Sequence, residues 1–183
     1  MGQKYTEISE KLQLFIEKQR MFFVGTAPTD GRINVSPKGM DSLRVMDANR
    51  VVWLNVTGSG NETAAHVLDS PRMTLMFTAF EGKPMILRLY GQATAIHQND
   101  LEWDTLLSLF PPIPGARQIF DVTIDLVHTS CGMAVPFFDY IGEREQLNNW
   151  AVKKGIEGIK TYWQEKNQQS IDGKQTLIMD KNT

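Results

Sequence analysis

The sequence predicts a mainly β protein: a mostly antiparallel barrel with helices at its periphery. Three observations carry this. Strand-like runs cluster between residues 20 and 136, turn signals join most of them, and only two helix-capable runs sit between them. Successive strands joined by short turns favour antiparallel pairing, and a small barrel removes exposed edges. The alternating strand–helix units of a doubly wound parallel sheet are missing.

The elements follow in order. Thr6 is placed to cap a first helix, in which Ile8, Leu12, Phe15 and Ile16 recur at helical spacing. Met21 to Thr26 reads as a strand, Pro28-Thr29-Asp30-Gly31 as a turn, and Arg32 to Ser36 as the returning strand, with Ile33 and Val35 on one face. Leu43 to Met46 is a short strand, and Asp47-Ala48-Asn49 turns into the strand Val51–Val56. Thr57-Gly58-Ser59-Gly60-Asn61 then leads into a helix from Glu62, stopped at Ser70-Pro71. Arg72 to Phe80 and Met85 to Ile96 are strands, the second with a bulge or bend expected at Gly91. Asn99-Asp100 is placed to cap a helix running to Phe110, which Pro111-Pro112-Ile113-Pro114-Gly115 breaks. Gln118 to His128 alternates as a strand. From Glu143 the chain is helical and polar, with a break near Gly155, and Gln168 to Thr183 reads as a loose tail. Residues 1–142 are therefore assigned to the barrel domain with its N-terminal helix, and 143–183 to a C-terminal helical extension and tail.

Composition narrows the function. The chain has 183 residues, 42% hydrophobic and 22% charged, with a net charge of −2. A nucleic-acid interface normally carries a basic excess, which is missing here. The single cysteine, Cys131, makes no intrachain disulfide and has no nucleophile signature around it, so a buried, inert thiol is expected. His66, His97 and His128 lack the spacing of a metal site. No apolar run is long enough to span a bilayer and no signal region follows Met1, so a cytoplasmic location is expected.

The stretch Thr57–Thr63 is the chemical candidate. A dinucleotide fingerprint needs a third glycine where Thr63 stands, together with a βαβ unit. An anion site needs less. Gly58 and Gly60 let backbone amides converge, Ser59, Asn61 and Thr63 add short donors, and the helix start offers unpaired N–H groups. The plainer alternative is a turn with Asn61 as N-cap. Lys38, in Ser36-Pro37-Lys38-Gly39, offers a point charge for a phosphate; taken alone it also reads as a solvated lysine after a proline turn. Arg88, between Leu87 and Leu89, faces away from the core toward solvent, a partner chain or a ligand. Trp53, just upstream of the glycine loop, reads first as a packing residue.

The order of these motifs, continued through Ser70-Pro71-Arg72, the strand with Arg88, and Cys131-Gly132-Met133-Ala134-Val135-Pro136, resembles the pyridoxamine 5'-phosphate oxidase-like, FMN-binding split β-barrel family. That resemblance implies a six-stranded antiparallel split barrel, a homodimer, and FMN in clefts at the dimer interface. It implies cofactor contacts from Ser36, Pro37, Lys38, Trp53, Leu54, Thr57, Gly58, Ser59, Gly60, Asn61, Thr63 and Arg88, with the Ser36-Pro37 and Trp53-Leu54 backbones at the isoalloxazine edge. Arg88 and Cys131–Pro136 become interface candidates. Some positions depart from the family pattern. Asn61, Glu62 and Thr63 stand where the oxidases carry Ser-Arg-Lys, and Ile86 stands where they carry a flavin-contacting Gln. The C-terminal Arg-x-His substrate motif is missing from Gln175-Thr176-Leu177-Ile178-Met179. The implied function is a flavin-dependent oxidoreductase of an unknown small substrate, without genuine pyridoxamine 5'-phosphate oxidation. The open alternatives are a non-catalytic flavin binder or a haem- or deazaflavin-using relative on the same barrel.

Overall fold

The computed structural model describes residues 2–183. Its centre is one antiparallel sheet of eight strands: β1 (Gln3–Tyr5), β2 (Phe22–Thr26), β3 (Asn34–Lys38), β4 (Leu43–Asp47), β5 (Arg50–Val56), β6 (Arg72–Thr78), β7 (Ile86–Ile96) and β8 (Ala116–Ser130). Around it lie α1 (Glu10–Lys18), α2 (Glu62–Asp69), α3 (Trp103–Leu107), α4 (Gln146–Tyr162) and α5 (Ile178–Asn182), with a π-helical turn, Trp163–Asn167, continuing α4. The strand order is β3-β2-β6-β7-β8-β5-β4, and β1 adds to β8. The expected mainly β, antiparallel class holds. The count is eight rather than six, and the sheet is not closed: β3 and β4 end it, and among the described residues no ladder joins them.

β8 explains the extra strand at the start of the chain. One of its edges pairs with β7 along most of its length, from Ile119 to Ser130. The other pairs with β5 as far as Thr123, and β1 takes the stretch beyond, Val127 to Thr129. Because β1 holds residues 3–5 extended, and Ile8 N donates to Ala48 O at 2.7 Å, the first helix starts at Glu10 after Ser9 rather than after Thr6. The bulge expected at Gly91 is present. The β7–β8 register shifts between Tyr90 and Gly91, and a Cβ at Gly91 would collide with the Thr123 carbonyl oxygen, which requires glycine there.

β5 reads as an unbroken apolar run because both of its faces are buried. Val51 and Trp53 join the main core with Phe22, Leu75, Phe77, Leu89, Phe120 and Val122. Val52 and Leu54 point the other way, into a second cluster with Ile96, Ile119, Trp103, Leu106 and Phe110. Residues 99–110 condense only into the short α3 with a turn on either side, which suffices to place Trp103, Leu106 and Phe110 on the sheet.

The C-terminal segment differs most from expectation. α4 breaks at Gly155, which takes φ 65°, as the sequence suggested. The stretch 168–183 is not a loose tail. Thr176, Ile178 and Asn182 are buried; Asn182 Oδ1 accepts from Gln98 N at 2.7 Å, and its Nδ2 lies 3.1 Å from His97 Nδ1. A few apolar and amide side chains in a polar stretch are enough when each finds a partner. Cys131 is exposed, not buried, because the chain leaves the sheet at Ser130 and continues as coil. Among the described residues, no helix is long and apolar enough to cross a membrane.

Candidate functional site

A cavity of about 450 Å³ lies where the sheet fails to close. One wall is β3 and the turn after it (Asn34, Ser36, Pro37, Lys38, Met40). The opposite wall is the end of β5 with Thr57–Gly60, and the start of α2, Arg117 of β8 and Leu147 of α4 complete the lining. Strand alternation sorts β3. Val35 is 64% exposed and Ile33, just before the strand, 76%, whereas Asn34, Ser36 and Lys38 alternate with them as half-buried positions. The apolar face thus looks outward and the polar face lines the cavity.

The predicted site residues Ser36, Pro37, Lys38, Leu54, Thr57, Gly58, Ser59, Gly60, Asn61 and Thr63 all line this one cavity. Two do not. Trp53 is fully buried in the core, stacked on Phe120 at 4.6 Å, and supports Lys38 from beneath, with the ammonium 5.4 Å from its ring centre. Arg88 lies on β7 beside His128 of β8 and donates from Nη1 to Ser130 Oγ at 3.0 Å, between the buried Leu87 and Leu89.

The cavity lining holds two cations, Lys38 and Arg117, against one carboxylate, Glu62. Arg117, 3% exposed, forms no carboxylate pair within the described residues; burial holds its pKa down at about 9. Lys38 is half-buried rather than fully solvated. Burial first, then the like charge of Arg117, lowers its pKa to about 8. Two like charges in one cavity, one buried and one half-buried, favour an anion there. Arg117 Nε and Ser36 Oγ are also buried without hydrogen-bond partners. Buried polar atoms are normally paired, so both mark places for a ligand or water.

α2 adds to this. Asn61 makes no side-chain cap bond, so the first N–H groups of the helix are left to the cavity. The capping alternative for Asn61 is therefore not what the side chain does. Its Nδ2 donates to Asn167 O at 3.3 Å, and its Oδ1 is buried without a partner. Thr57 is also committed within the protein: its hydroxyl donates to Gly115 O at 2.7 Å and accepts from Trp163 Nε1 at 2.8 Å. Thr63 Oγ1 accepts weakly from Asn34 Nδ2 at 3.5 Å, which leaves its own O–H to donate. Glu62 is the carboxylate in the lining, and both its oxygens accept from Ile171 N, at 3.0 and 3.1 Å.

Sequence reading missed Arg117. It sits in Ala116-Arg117-Gln118, at the start of a strand whose apolar alternation begins later, and no motif flags it. The available signal was that β8 has to be buried on both faces, which makes any cation near its start a buried one.

The sequence pattern of the family described as pyridoxamine 5'-phosphate oxidase matches residues 8–131. The pyridoxamine 5'-phosphate oxidase family protein ustO of Aspergillus flavus is 36% identical over 140 residues, covering 74% of this chain; the chain spans 56% of that relative's length. Among solved structures, a putative pyridoxamine 5'-phosphate oxidase from Lactobacillus delbrueckii superposes with a TM-score of 0.53 at 21% identity, covering 67% of this chain and 94% of that one. HupZ of Group A Streptococcus gives 0.54 at 15% identity, covering 67% and 99%. At these identities the two structures speak for the fold alone.

Proposed function

This chain belongs to the pyridoxamine 5'-phosphate oxidase family, and from that premise we propose that it binds FMN in the cavity between β3 and α2 and acts as a flavin-dependent oxidoreductase on a small substrate. The observation that carries the proposal is the pair of cations, buried Arg117 and half-buried Lys38, which among the described residues form no carboxylate pair, beside a helix start whose N-cap side chain makes no cap bond. A phosphate monoester brings nearly two negative charges and three acceptor oxygens to such a place. Lys38 and Arg117 offset the charge, the α2 N–H groups and Thr63 O–H bond the oxygens, and Gly58 and Gly60 let the backbone come close. The unpartnered Ser36 Oγ and Asn61 Oδ1 suit the hydroxyls of a ribityl chain. Pro37 and Met40 give apolar surface for a ring. The flavin, when bound, supplies the electron-transfer chemistry, while the protein's part is position and electrostatics.

A homodimer is part of the same proposal. The coil after β8 carries Met133, Phe137, Phe138 and Ile141, the last 99% exposed, and the β3 edge carries Ile33 and Val35. Exposed apolar residues at this density mark an interaction surface, and a second copy is the partner that the family relationship suggests. Pyridoxamine 5'-phosphate oxidation is not proposed, because the C-terminal segment lacks the Arg-x-His motif and turns Thr176 and Ile178 inward instead.

The test is an absorption spectrum of protein purified without added cofactor, followed by titration with FMN and riboflavin. Flavin bands and tighter binding of FMN are expected. A Soret band, or equal affinity for the two flavins, would overturn the assignment. Reduction of the bound flavin by NAD(P)H and its reoxidation by an acceptor test the oxidoreductase half separately.

A further inference from the structure

The anion cradle is not completed by the sheet. Its missing partner is Asn167, the last residue of the π-helical turn and fully buried. Asn167 Oδ1 accepts from Arg117 Nη1 at 2.8 Å, and Asn167 Nδ2 donates to Gly58 O at 3.1 Å. Its backbone oxygen accepts from Asn61 Nδ2 at 3.3 Å and from Thr176 Oγ1 at 2.6 Å. Arg117 Nη2 in turn donates to Gly60 O at 2.7 Å. One residue therefore joins the cation of β8, both glycines of the loop (one through Arg117), the start of α2 and the C-terminal hairpin.

The chemistry of this position is specific to an amide. A carboxylate would accept the same bond from Arg117 but would neutralise its charge and face the Gly58 carbonyl without a donor. An apolar residue would leave Arg117 and the Gly58 carbonyl with one bond fewer each. Asparagine accepts on one side, donates on the other and carries no charge. The guanidinium is fixed against the loop while its charge, and its unpartnered Nε, stay available. A π-helical turn, the one-residue irregularity common at functional sites, delivers the side chain to this point.

We propose that Asn167 is a positioning residue for the phosphate site: it sets Arg117 against the glycine loop without cancelling its charge, so that the C-terminal segment determines how strongly the cavity prefers a phosphorylated ligand over its unphosphorylated counterpart. The inference rests on the FMN reading above. Nothing in it requires Asn167 to touch the ligand.

The experiment is a fluorescence titration of FMN and of riboflavin against the wild-type chain and the Asn167→Asp, Asn167→Ala and Asn182→Ala variants, with melting temperatures recorded alongside. Asn182→Ala loosens the same segment at its contacts with Gln98 and His97, bonds neither Arg117 nor the glycine loop, and serves as the structural control. The wild type is expected to prefer FMN. Asn167→Asp should lower that preference about tenfold or more, and Asn167→Ala by a smaller factor of about threefold or more, the low end of one net hydrogen bond. Riboflavin affinity should stay within about twofold in both, and Asn182→Ala should leave the preference intact while lowering the melting temperature. A preference unchanged in the Asn167 variants overturns the proposal, and so does an equal loss in Asn182→Ala. If neither Asn167 variant folds while Asn182→Ala does, Asn167 is a structural keystone and the proposal also fails. A wild-type chain that shows no preference sinks the FMN reading itself, which is a separate outcome.

Discussion

Exchanging Lys38 for methionine separates what the cation costs from what it does. With no anion in the cavity, burial and the charge of Arg117 hold its pKa at about 8 against an ordinary 10.5. That difference is a penalty of about 3 kcal/mol on the charged form. Methionine removes the charge and keeps most of the apolar stem. It also loses the ammonium contact over Trp53, at 5.4 Å, worth about 1 kcal/mol. The balance is a gain of about 2 kcal/mol at pH 7, or a rise of about 4–8 °C in Tm for a chain of this size. The sign changes with pH in a defined way. An unfolded lysine keeps its proton up to about 10.5 and the folded one releases it near 8, so wild-type stability rises between those values and the advantage of the variant fades there. FMN binding should move the other way, weakening by about 1.5–3 kcal/mol, or roughly ten- to over a hundredfold, with riboflavin nearly unaffected. Scanning calorimetry without flavin at pH 7 and pH 10, together with titrations of both flavins, reads out all four numbers. A variant that melts lower than wild type at pH 7, or that loses both flavins equally, refutes the reasoning.

The remaining predictions concern the cradle, the acid side and the dimer. Thr63→Ala should cost FMN about 1–3 kcal/mol and spare riboflavin, whereas Asn61→Ala, which removes an unpartnered acceptor and a long bond to the Asn167 backbone but no phosphate donor, should weaken both alike; paired titrations distinguish them. His97 is held at about 4, mainly by burial and then by the charge of Lys181, against 6.5 when unfolded. The unfolded chain therefore binds more protons between those values, and stability falls by up to about 3 kcal/mol as pH drops through them. Urea midpoints at pH 7, 5 and 4 should show the loss in wild type and a flatter response in His97→Gln; parallel slopes would contradict it. Phe137→Asp with Ile141→Asp should convert a dimer into a monomer in sedimentation at micromolar concentration, and an unchanged sedimentation coefficient would place the interface elsewhere.

Most of the barrel was legible because its signals are local. The β2 and β5–β8 runs, the bulge at Gly91 and the break at Gly155 follow from alternation and glycine placement. That the glycine loop, Lys38 and Thr63 share one cavity follows from a strand–Gly–helix junction facing the end of a neighbouring strand. What was not legible depends on distant partners. β1 forms only because β5 leaves part of the β8 edge unpaired. Thr57 looks like a donor until Gly115 and Trp163 occupy it. Arg117 and Asn167 gain meaning only across 50 residues of intervening chain. The segment 168–183 seemed loose because its few anchoring side chains, Thr176, Ile178 and Asn182, show no periodic pattern.

The clasp from Asn167 also fixes an order of events during synthesis. Asn61 and Asn167 are separated by 106 residues, and Gly58 and Asn167 by 109. At about 5–20 residues per second, translation leaves an interval of about 5–20 s between the two partners. β8 is finished at Ser130, so every strand of the sheet has been made before the clasp exists. A nascent chain thus passes through a stage with a paired sheet, an open cradle and a guanidinium not yet restrained by an amide. The two halves of the cradle therefore meet only after the chain is almost complete.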